Sequence, residues 1–168
     1  MRRSPFLVNV ATLLKSPGTV QRERRAGPLD GLGVTSSRVT RGAEVAVDVA
    51  LEAVHGGVMA HGIVQAPWEG ECRRCAGRAT GGLEAEVREL FEEDSDPETT
   101  YPLRGDQLDL EPLARDAVLL ELPAAPLCRE DCRGLCPDCG ADRNERACGC
   151  EAAPDPRWAA LDVLHTDD

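Results

Sequence analysis

Apolar and polar residues alternate most clearly in the second quarter of the chain. From Ala43 to Ala53 every second residue is apolar, and three of the positions between them are acidic. This period of two predicts a strand with one buried face. A His-Gly-Gly turn follows at residues 55–57, and the alternation resumes over residues 58–66. The pattern therefore predicts a β-hairpin whose second strand leads towards Cys72.

A second regular pattern predicts a helix over residues 109–122. Asp109 is a residue type that favours the N-cap position, and Pro112 is tolerated within the first turn. Pro123 then ends the segment, because proline cannot continue a helix. The apolar residues that recur at helical spacing are Leu110, Leu113, Ala117 and Leu120.

Three further segments have weaker patterns. Residues 80–93 fit a strand because apolar and charged residues alternate, but they also fit one face of a helix. Residues 92–106 are acidic and contain proline, which predicts a loop. Near the C-terminus, Pro156 is placed to begin a short final helix. That helix would carry Trp158, Leu161 and Leu164 on one side.

The N-terminal part combines a short apolar segment with a basic one. The segment from Phe6 to Val10 fits either a strand or a short helix. Arg22, Arg24 and Arg25 then alternate around a glutamate, which is typical of an exposed, charged edge strand. A contact with a phosphate backbone is the alternative interpretation of these three arginines.

Charge limits the classes of partner. The formal net charge is -11, whereas broad coating of nucleic acid needs a basic surface that neutralises phosphates. RNA binding would therefore depend on a local basic patch. Asn9 and Thr12 interrupt the N-terminal apolar run and no small-residue cleavage site follows, so we expect no signal peptide. No apolar stretch reaches membrane-spanning length, and we expect a cytoplasmic protein with no membrane partner.

The eight cysteines carry the clearest chemical signal, and four of them lie close together near the C-terminus. A C-x-x-C pair and a C-x-C pair are separated by a short polar segment, and such pairs together complete a tetrahedral zinc site. Pro137, Gly140 and Gly149 permit the tight turns. The segment is too polar to fold by burial alone, so Zn²⁺ binding would supply its folding energy. The predicted ligands are Cys136, Cys139, Cys148 and Cys150.

The remaining cysteines predict a second site, which needs closure over a long stretch of chain. Cys72 and Cys75 form a C-x-x-C after the predicted hairpin, and Cys128 and Cys132 follow the predicted helix. These four would pin the C-terminal segment to the sheet. A different division, with Cys132 or Cys136 exchanged between the sites, also fits the spacing. We therefore expect one or two structural Zn²⁺ ions.

Other uses of the cysteines are open. Four disulfides would also use all eight, but the cytosol keeps thiols reduced. A redox-active pair at Cys72 and Cys75 would gain from Arg73 and Arg74, which lower a thiol pKa, so a thiol redox enzyme or sensor is an alternative. All-cysteine zinc sites are normally closed and structural. We therefore expect a protein that is not an enzyme and has no small-molecule substrate.

Several short motifs follow one another along the chain: Glu71–Cys75, Leu108–Pro112, Asp116–Pro123, Pro126–Cys128, Cys132, Gly134–Cys136 and Cys139–Gly140. In this order and at these intervals they resemble the YceD family of large ribosomal RNA subunit accumulation proteins. The similarity extends from about residue 20 to residue 150, and the full cysteine set resembles actinobacterial members. Some members lack the terminal cysteine cluster, which makes the first cluster the more general site.

The resemblance implies a bacterial factor for accumulation or processing of large-subunit ribosomal RNA, or for ribosome assembly. Its partner would be precursor large-subunit ribosomal RNA or a ribosomal protein. An adapter whose acidic surface binds a basic ribosomal protein is a second hypothesis. If the first cysteine group shares a metal, the arginines near it form a local phosphate-binding patch or merely offset thiolate charge. These arginines are Arg73, Arg74, Arg78, Arg129 and Arg133.

The expected fold is α+β, a mainly antiparallel sheet or partial barrel with one packed helix and a zinc-stapled C-terminal tail. The resemblance favours a strand over residues 80–93. We divide the chain into an α+β domain at 1–127, a cysteine-rich zinc-binding segment at 128–150 and a tail with a short helix at 151–168.

Overall fold

The computed structural model describes residues 4–16, 18–150 and Arg157 of this protein. Within these residues the chain forms a sheet of eight strands and two helices. The strands are β1 (Leu7–Asn9), β2 (Val20–Pro28), β3 (Ser37–Val39), β4 (Glu44–Val54), β5 (Gly57–Glu71), β6 (Arg78–Glu92), β7 (Tyr101–Arg104) and β8 (Gln107–Asp109). The helices are α1 (Ala11–Leu14) and α2 (Glu111–Glu121).

The centre of the fold is an antiparallel unit of β4, β5 and β6. A turn joins β4 to β5 in the register Val54↔Gly57, which confirms the predicted hairpin. β5 then pairs with β6 along the whole length of β6. Residues 80–93 therefore form a strand up to Glu92, and the helical alternative is wrong. The alternation decides this, because every second residue of β6 from Leu83 to Val87 is buried.

The sheet curves into a nearly closed barrel. Its strand order is β1-β8-β7-β6-β5-β4-β2, and β3 pairs with β5 beyond the end of β4. Every pairing is antiparallel except the short one between β6 and β7. The side-chain amide of Gln21 in β2 donates to the backbone oxygen of Asn9 in β1 at 3.2 Å, so the two ends of the order approach each other. The predicted antiparallel partial barrel is confirmed.

A continuous apolar core fills the barrel. Phe6 and Phe91 are fully buried, and α2 covers β5 and β6 with a buried face that includes Leu113 and Val118. Burying a large apolar side chain stabilises a fold by about 1.5–3 kcal/mol, so these contacts hold the helix on the sheet. The barrel is therefore a rigid support for the segments that carry cysteine.

Several predicted boundaries change in the structure. The predicted loop over 92–106 contains β7, because Leu103 is buried and its strand pairs with β6 and β8. Asp109 is not the N-cap of α2, since Leu110 occupies that position. The Asp109 carboxylate instead accepts the N–H of Glu111 at 3.0 Å. The final helix that we predict from Pro156 lies outside the described residues.

The N-terminal predictions are resolved in two ways. The apolar segment from Phe6 to Val10 contains the strand β1, and the short helix α1 begins directly after it. The charged segment forms β2, which pairs only with β4 and is an edge of the strand order, as predicted. Arg24 in β2 pairs with Asp48 across the strands. No helix among the described residues is long and apolar enough to cross a membrane.

Candidate metal centres

The first cluster of cysteines joins two segments that are far apart in sequence. Cys72 and Cys75 lie in the turn between β5 and β6, which is closed by a hydrogen bond from the Cys72 N–H to the Gly77 oxygen at 2.7 Å. Cys128 and Cys132 follow α2. The N–H of Arg73 donates to the Pro126 oxygen at 2.9 Å, and this bond ties the two segments together.

The geometry of the first cluster fits a tetrahedral metal ion. The sulfur atoms of its four cysteines all lie within 4.8 Å of one another. The Sγ–Sγ distance is 3.8 Å between Cys72 and Cys132 and 3.7 Å between Cys75 and Cys128. A tetrahedron with Zn–S bonds of about 2.3 Å has edges of about 3.8 Å. Both of these sulfur pairs therefore have the spacing that a bound Zn²⁺ requires.

The second cluster is local, and short backbone contacts build it. The Cys136 N–H donates to the Ala141 oxygen at 2.8 Å, and the Gly140 N–H donates to the Cys136 oxygen at 2.9 Å. Gly140 has a φ of 71°, a left-handed conformation that glycine adopts without strain. The sulfurs of Cys136, Cys139, Cys148 and Cys150 lie within 4.8 Å of one another. The structure thus groups the cysteines as two sets of four, without an exchange of Cys132 or Cys136.

Thiol acidity differs strongly within each cluster. Backbone hydrogen bonds from Cys128 and then Arg74 lower the pKa of Cys72 to about 6, against the opposing effect of burial. Backbone hydrogen bonds from Cys139 and Asp138 lower the pKa of Cys136 to about 7.

Other thiols in the clusters hold their protons more firmly. Burial, together with the thiols of Cys132, Cys75 and Cys72, raises the pKa of Cys128 to about 12. Hydrogen bonds with the thiols of Cys139 and Cys136 raise the pKa of Cys150 to about 12. Four thiolates so close together repel one another, so a complete set of four needs a cation to ionise. This donor set, four sulfurs without oxygen, suits a thiophilic divalent ion such as Zn²⁺.

An asparagine connects the two clusters. Asn144 lies in the loop of the second cluster, and its Nδ2 donates to the Sγ of Cys132 in the first cluster at 3.5 Å. Its Oδ1 accepts the N–H of Arg133 and the Nη2 of Arg129, both at 2.8 Å. Sequence reasoning missed this residue, because no spacing rule marks it. The one sequence feature that could have indicated Asn144 is its short amide side chain between Cys139 and Cys148.

Three of the five arginines of the predicted basic patch contact other residues of the described chain. Arg74 donates from Nη1 to the oxygens of Glu130 and Cys132, at 3.1 and 2.9 Å, so its guanidinium holds the first cluster together. Arg129 contacts Asn144 and pairs with Asp131. Arg78 lies at the start of β6 and pairs with Glu69, which also pairs with Arg38.

The other two of the five predicted arginines have no such contact. Arg73 and Arg133 are exposed, and neither guanidinium has a hydrogen bond or an ion pair to another described residue. Arg73 is in the turn of the first cluster, and Arg133 directly follows Cys132. A phosphate contact at this end of the barrel would therefore depend mainly on these two side chains.

Comparison with known proteins agrees with the motif resemblance. A family model described as "Large ribosomal RNA subunit accumulation protein YceD" matches residues 60–165, which is more than half of the chain. The chain belongs to the YceD family. The residues that match the YceD model include all eight cysteines, so both clusters lie within the matched region.

Relatives of this YceD family member are found in mycobacteria and in a plant. The chain is 34% identical to an uncharacterized protein of Mycobacterium tuberculosis over 94% of this chain and 80% of that protein. It is 32% identical to an uncharacterized protein of Mycobacterium leprae over 98% of this chain and 80% of that protein.

A shorter match connects the chain to a named protein. It is 36% identical to the chloroplastic large ribosomal RNA subunit accumulation protein YCED homolog 1 of Arabidopsis thaliana, over 30% of this chain and 16% of that protein. No solved structure matches.

Proposed function

We propose that this protein is a non-catalytic factor for the accumulation of large-subunit ribosomal RNA, and that two structural Zn²⁺ ions hold its binding surface. Membership of the YceD family is the observation that carries the proposal. In support, each group brings four sulfurs within 4.8 Å of one another, and four cysteine ligands would fill a tetrahedral ion and leave no open position for a reacting water. The ligands in this proposal are Cys72, Cys75, Cys128, Cys132, Cys136, Cys139, Cys148 and Cys150.

In this proposal the first ion positions the RNA contact. It would clamp the β5–β6 turn, which carries Arg73, to the segment after α2, which carries Arg133. Two exposed arginines held by a rigid support can bind phosphates at a defined spacing. Such a small patch suits a chain with a net charge of -11, because it binds one RNA site without coating nucleic acid.

The thiol redox hypothesis has less support. A thiol redox enzyme needs an accessible attacking sulfur, whereas the Cys72 side chain, with its lowered pKa, is buried.

The cytoplasmic location and the division at 127/128 and 150/151 are predictions that still require experiments. Limited proteolysis with and without a zinc chelator tests the division, which predicts that cleavage after chelation concentrates within 128–150.

A complementation experiment tests the function directly. The gene is deleted, and the ratio of large-subunit to small-subunit ribosomal RNA is measured after return of each variant. We expect the wild type to restore the ratio and Arg73→Glu/Arg133→Glu to fail. The charge-matched control is Arg41→Glu/Arg104→Glu, which changes two exposed arginines outside both clusters and should restore the ratio.

Purification of the tagged protein from native cells, with RNA and protein sequenced before and after nuclease, identifies the contact. Enrichment of precursor large-subunit RNA that the Arg73→Glu/Arg133→Glu variant loses would support the proposal. An unchanged ribosomal RNA ratio in the deletion strain would overturn it. Equal failure of both arginine variants would overturn the assignment to this end of the barrel.

A further inference from the structure

One edge of the long strand β6 is open over most of its length. β5 covers one side of β6 from residue 78 to residue 92. On the other side, β7 pairs only with Phe91 and Glu92, and no other strand of the described chain pairs there. In a strand, successive backbone groups point to alternate sides, so residues 78–90 present unpaired N–H and C=O groups.

A groove with acidic walls lies beside this open edge. It runs between β6 and α2, with Glu86 and Glu89 on the strand and Asp116 and Glu121 on the helix. None of these carboxylates forms an ion pair with another described residue. Asp116 accepts a hydrogen bond from the Tyr101 hydroxyl at 2.8 Å, so at least this wall is held in place.

An exposed leucine lines the same groove. Leu120 of α2 is 85% exposed, the highest value among the exposed large apolar residues of the described chain. Charged residues on a strand edge are a common means of preventing unwanted pairing, and they would explain the acidic residues alone. They do not explain an apolar side chain that points into water next to them. An open edge, negative charge and an apolar contact together describe a binding site for a polypeptide.

We propose that an extended, basic segment of a partner protein binds as an added strand on β6. Its backbone pairs with residues 80–90, its lysine or arginine side chains contact Glu86, Glu89 and Glu121, and an apolar residue covers Leu120. RNA is disfavoured at this surface, because the carboxylates repel its phosphates. The proposal goes beyond the proposed function, since it concerns a different surface and requires no RNA.

A peptide with alternating lysine and valine, about ten residues long and labelled with fluorescein, is the probe, because added strands take alternating side chains. Its binding to the full-length, zinc-loaded protein is measured by fluorescence anisotropy at physiological salt. We expect saturable binding. We also expect that N-methylation of one alternating set of peptide nitrogens weakens it by at least about tenfold, since those N–H groups pair with β6. Methylation of the other set should leave the affinity unchanged.

Two variants locate the binding site. Glu86→Gln/Glu121→Gln should weaken binding at least about fivefold, because it removes two charged contacts, and Leu120→Ala at least about twofold, because it removes the apolar contact. The matched control is Asp30→Asn/Glu44→Gln, which removes the same charge from exposed residues elsewhere and should bind like the wild type. Hydrogen exchange should show new amide protection within residues 80–90 when the peptide is bound.

Three outcomes would overturn the proposal: absence of saturable binding, equal effects of the two methylated peptides, or equal weakening by the control variant. Binding of single-stranded RNA of similar length with protection of residues 80–90 would also overturn it. None of these outcomes bears on the complementation result, which depends on Arg73 and Arg133 at the other surface.

Discussion

The two cysteine clusters use the same four thiol ligands but are built in opposite ways. The first joins a turn between β5 and β6 to a segment after α2, and Cys72 and Cys132 are buried against the barrel. The second is assembled within residues 136–150, where Cys139 and Cys150 are exposed. One cluster therefore needs the tertiary fold before its ligands meet, whereas the other needs only local turns.

The first cluster would therefore act as a clamp between two distant segments, whereas the second would act only on the segment that contains it. A metal in the first cluster would close a long loop of chain and so constrain the unfolded state strongly. A metal in the second would organise a short polar segment and leave the barrel unchanged. Asn144 joins the two, because it lies in the second loop and contacts Cys132 of the first. The predictions below test how far the clusters are independent.

The largest effect is expected for Cys72→Ser. It removes a buried ligand from the clamp, and the loss of a metal site is among the most damaging single changes. We expect the melting temperature to fall by about 10 °C or more. Thermal unfolding followed by circular dichroism measures this, with the metal content counted by native mass spectrometry. A melting temperature within about 2 °C of the wild type would contradict the clamp role.

Cys139→Ser should have a strong local effect and a weak global one. It removes an exposed ligand of the second cluster, so one Zn²⁺ should be lost and the amides of residues 136–150 should exchange faster. The melting temperature of the barrel should change by less than about 3 °C. Loss of both ions, or faster exchange throughout β4 and β5, would show that the clusters form one unit.

Asn144→Ala should weaken Zn²⁺ binding in the first cluster, although the residue lies in the loop of the second. The amide holds Cys132 and two neighbouring backbone or guanidinium groups, and such supporting residues typically change metal affinity by about 10–100-fold. We expect the first Zn²⁺ to be lost about tenfold more readily in a competition titration with a chromophoric chelator. Asn144→Asp keeps the oxygen contacts but places a carboxylate oxygen beside the Cys132 sulfur, so repulsion between the two charges should weaken the site at least as much. An unchanged affinity in both variants would mean that the clusters bind independently.

The smallest effect is expected for the ionisation of Tyr101, whose pKa reports on the structure of the barrel alone. It is the single tyrosine of the chain, and burial, followed by its hydrogen bond to Asp116, raises its pKa above the ordinary value. The unfolded chain therefore ionises first as the pH rises above about 10, and the stability that this residue contributes is lost with increasing pH. Absorbance at alkaline pH should give the same raised pKa in Cys139→Ser as in the wild type. A return of the Tyr101 pKa to its ordinary value in that variant would show that loss of the second cluster changes the barrel around Tyr101.

The hairpin and α2 were predictable because their patterns are local and periodic. The prediction of β7 failed because four residues in an acidic segment carry no recognisable period, and their strand is stabilised by β6 and β8. The ambiguity over residues 80–93 had a similar origin. Glutamate and leucine favour a helix, but pairing with β5 along the full strand overrides that preference.

The sequence by itself determined the second cluster, because four close cysteines and their turn residues define a tetrahedral site within a short segment. It also determined that a first site was available, through two cysteine pairs. Only the tertiary structure decided that these pairs meet, that Arg74 donates to the backbone oxygens of Glu130 and Cys132, and that β6 has an open edge beside α2. The reason is physical: local spacing fixes which groups are neighbours along the chain. Contacts across more than fifty residues depend on how the core packs.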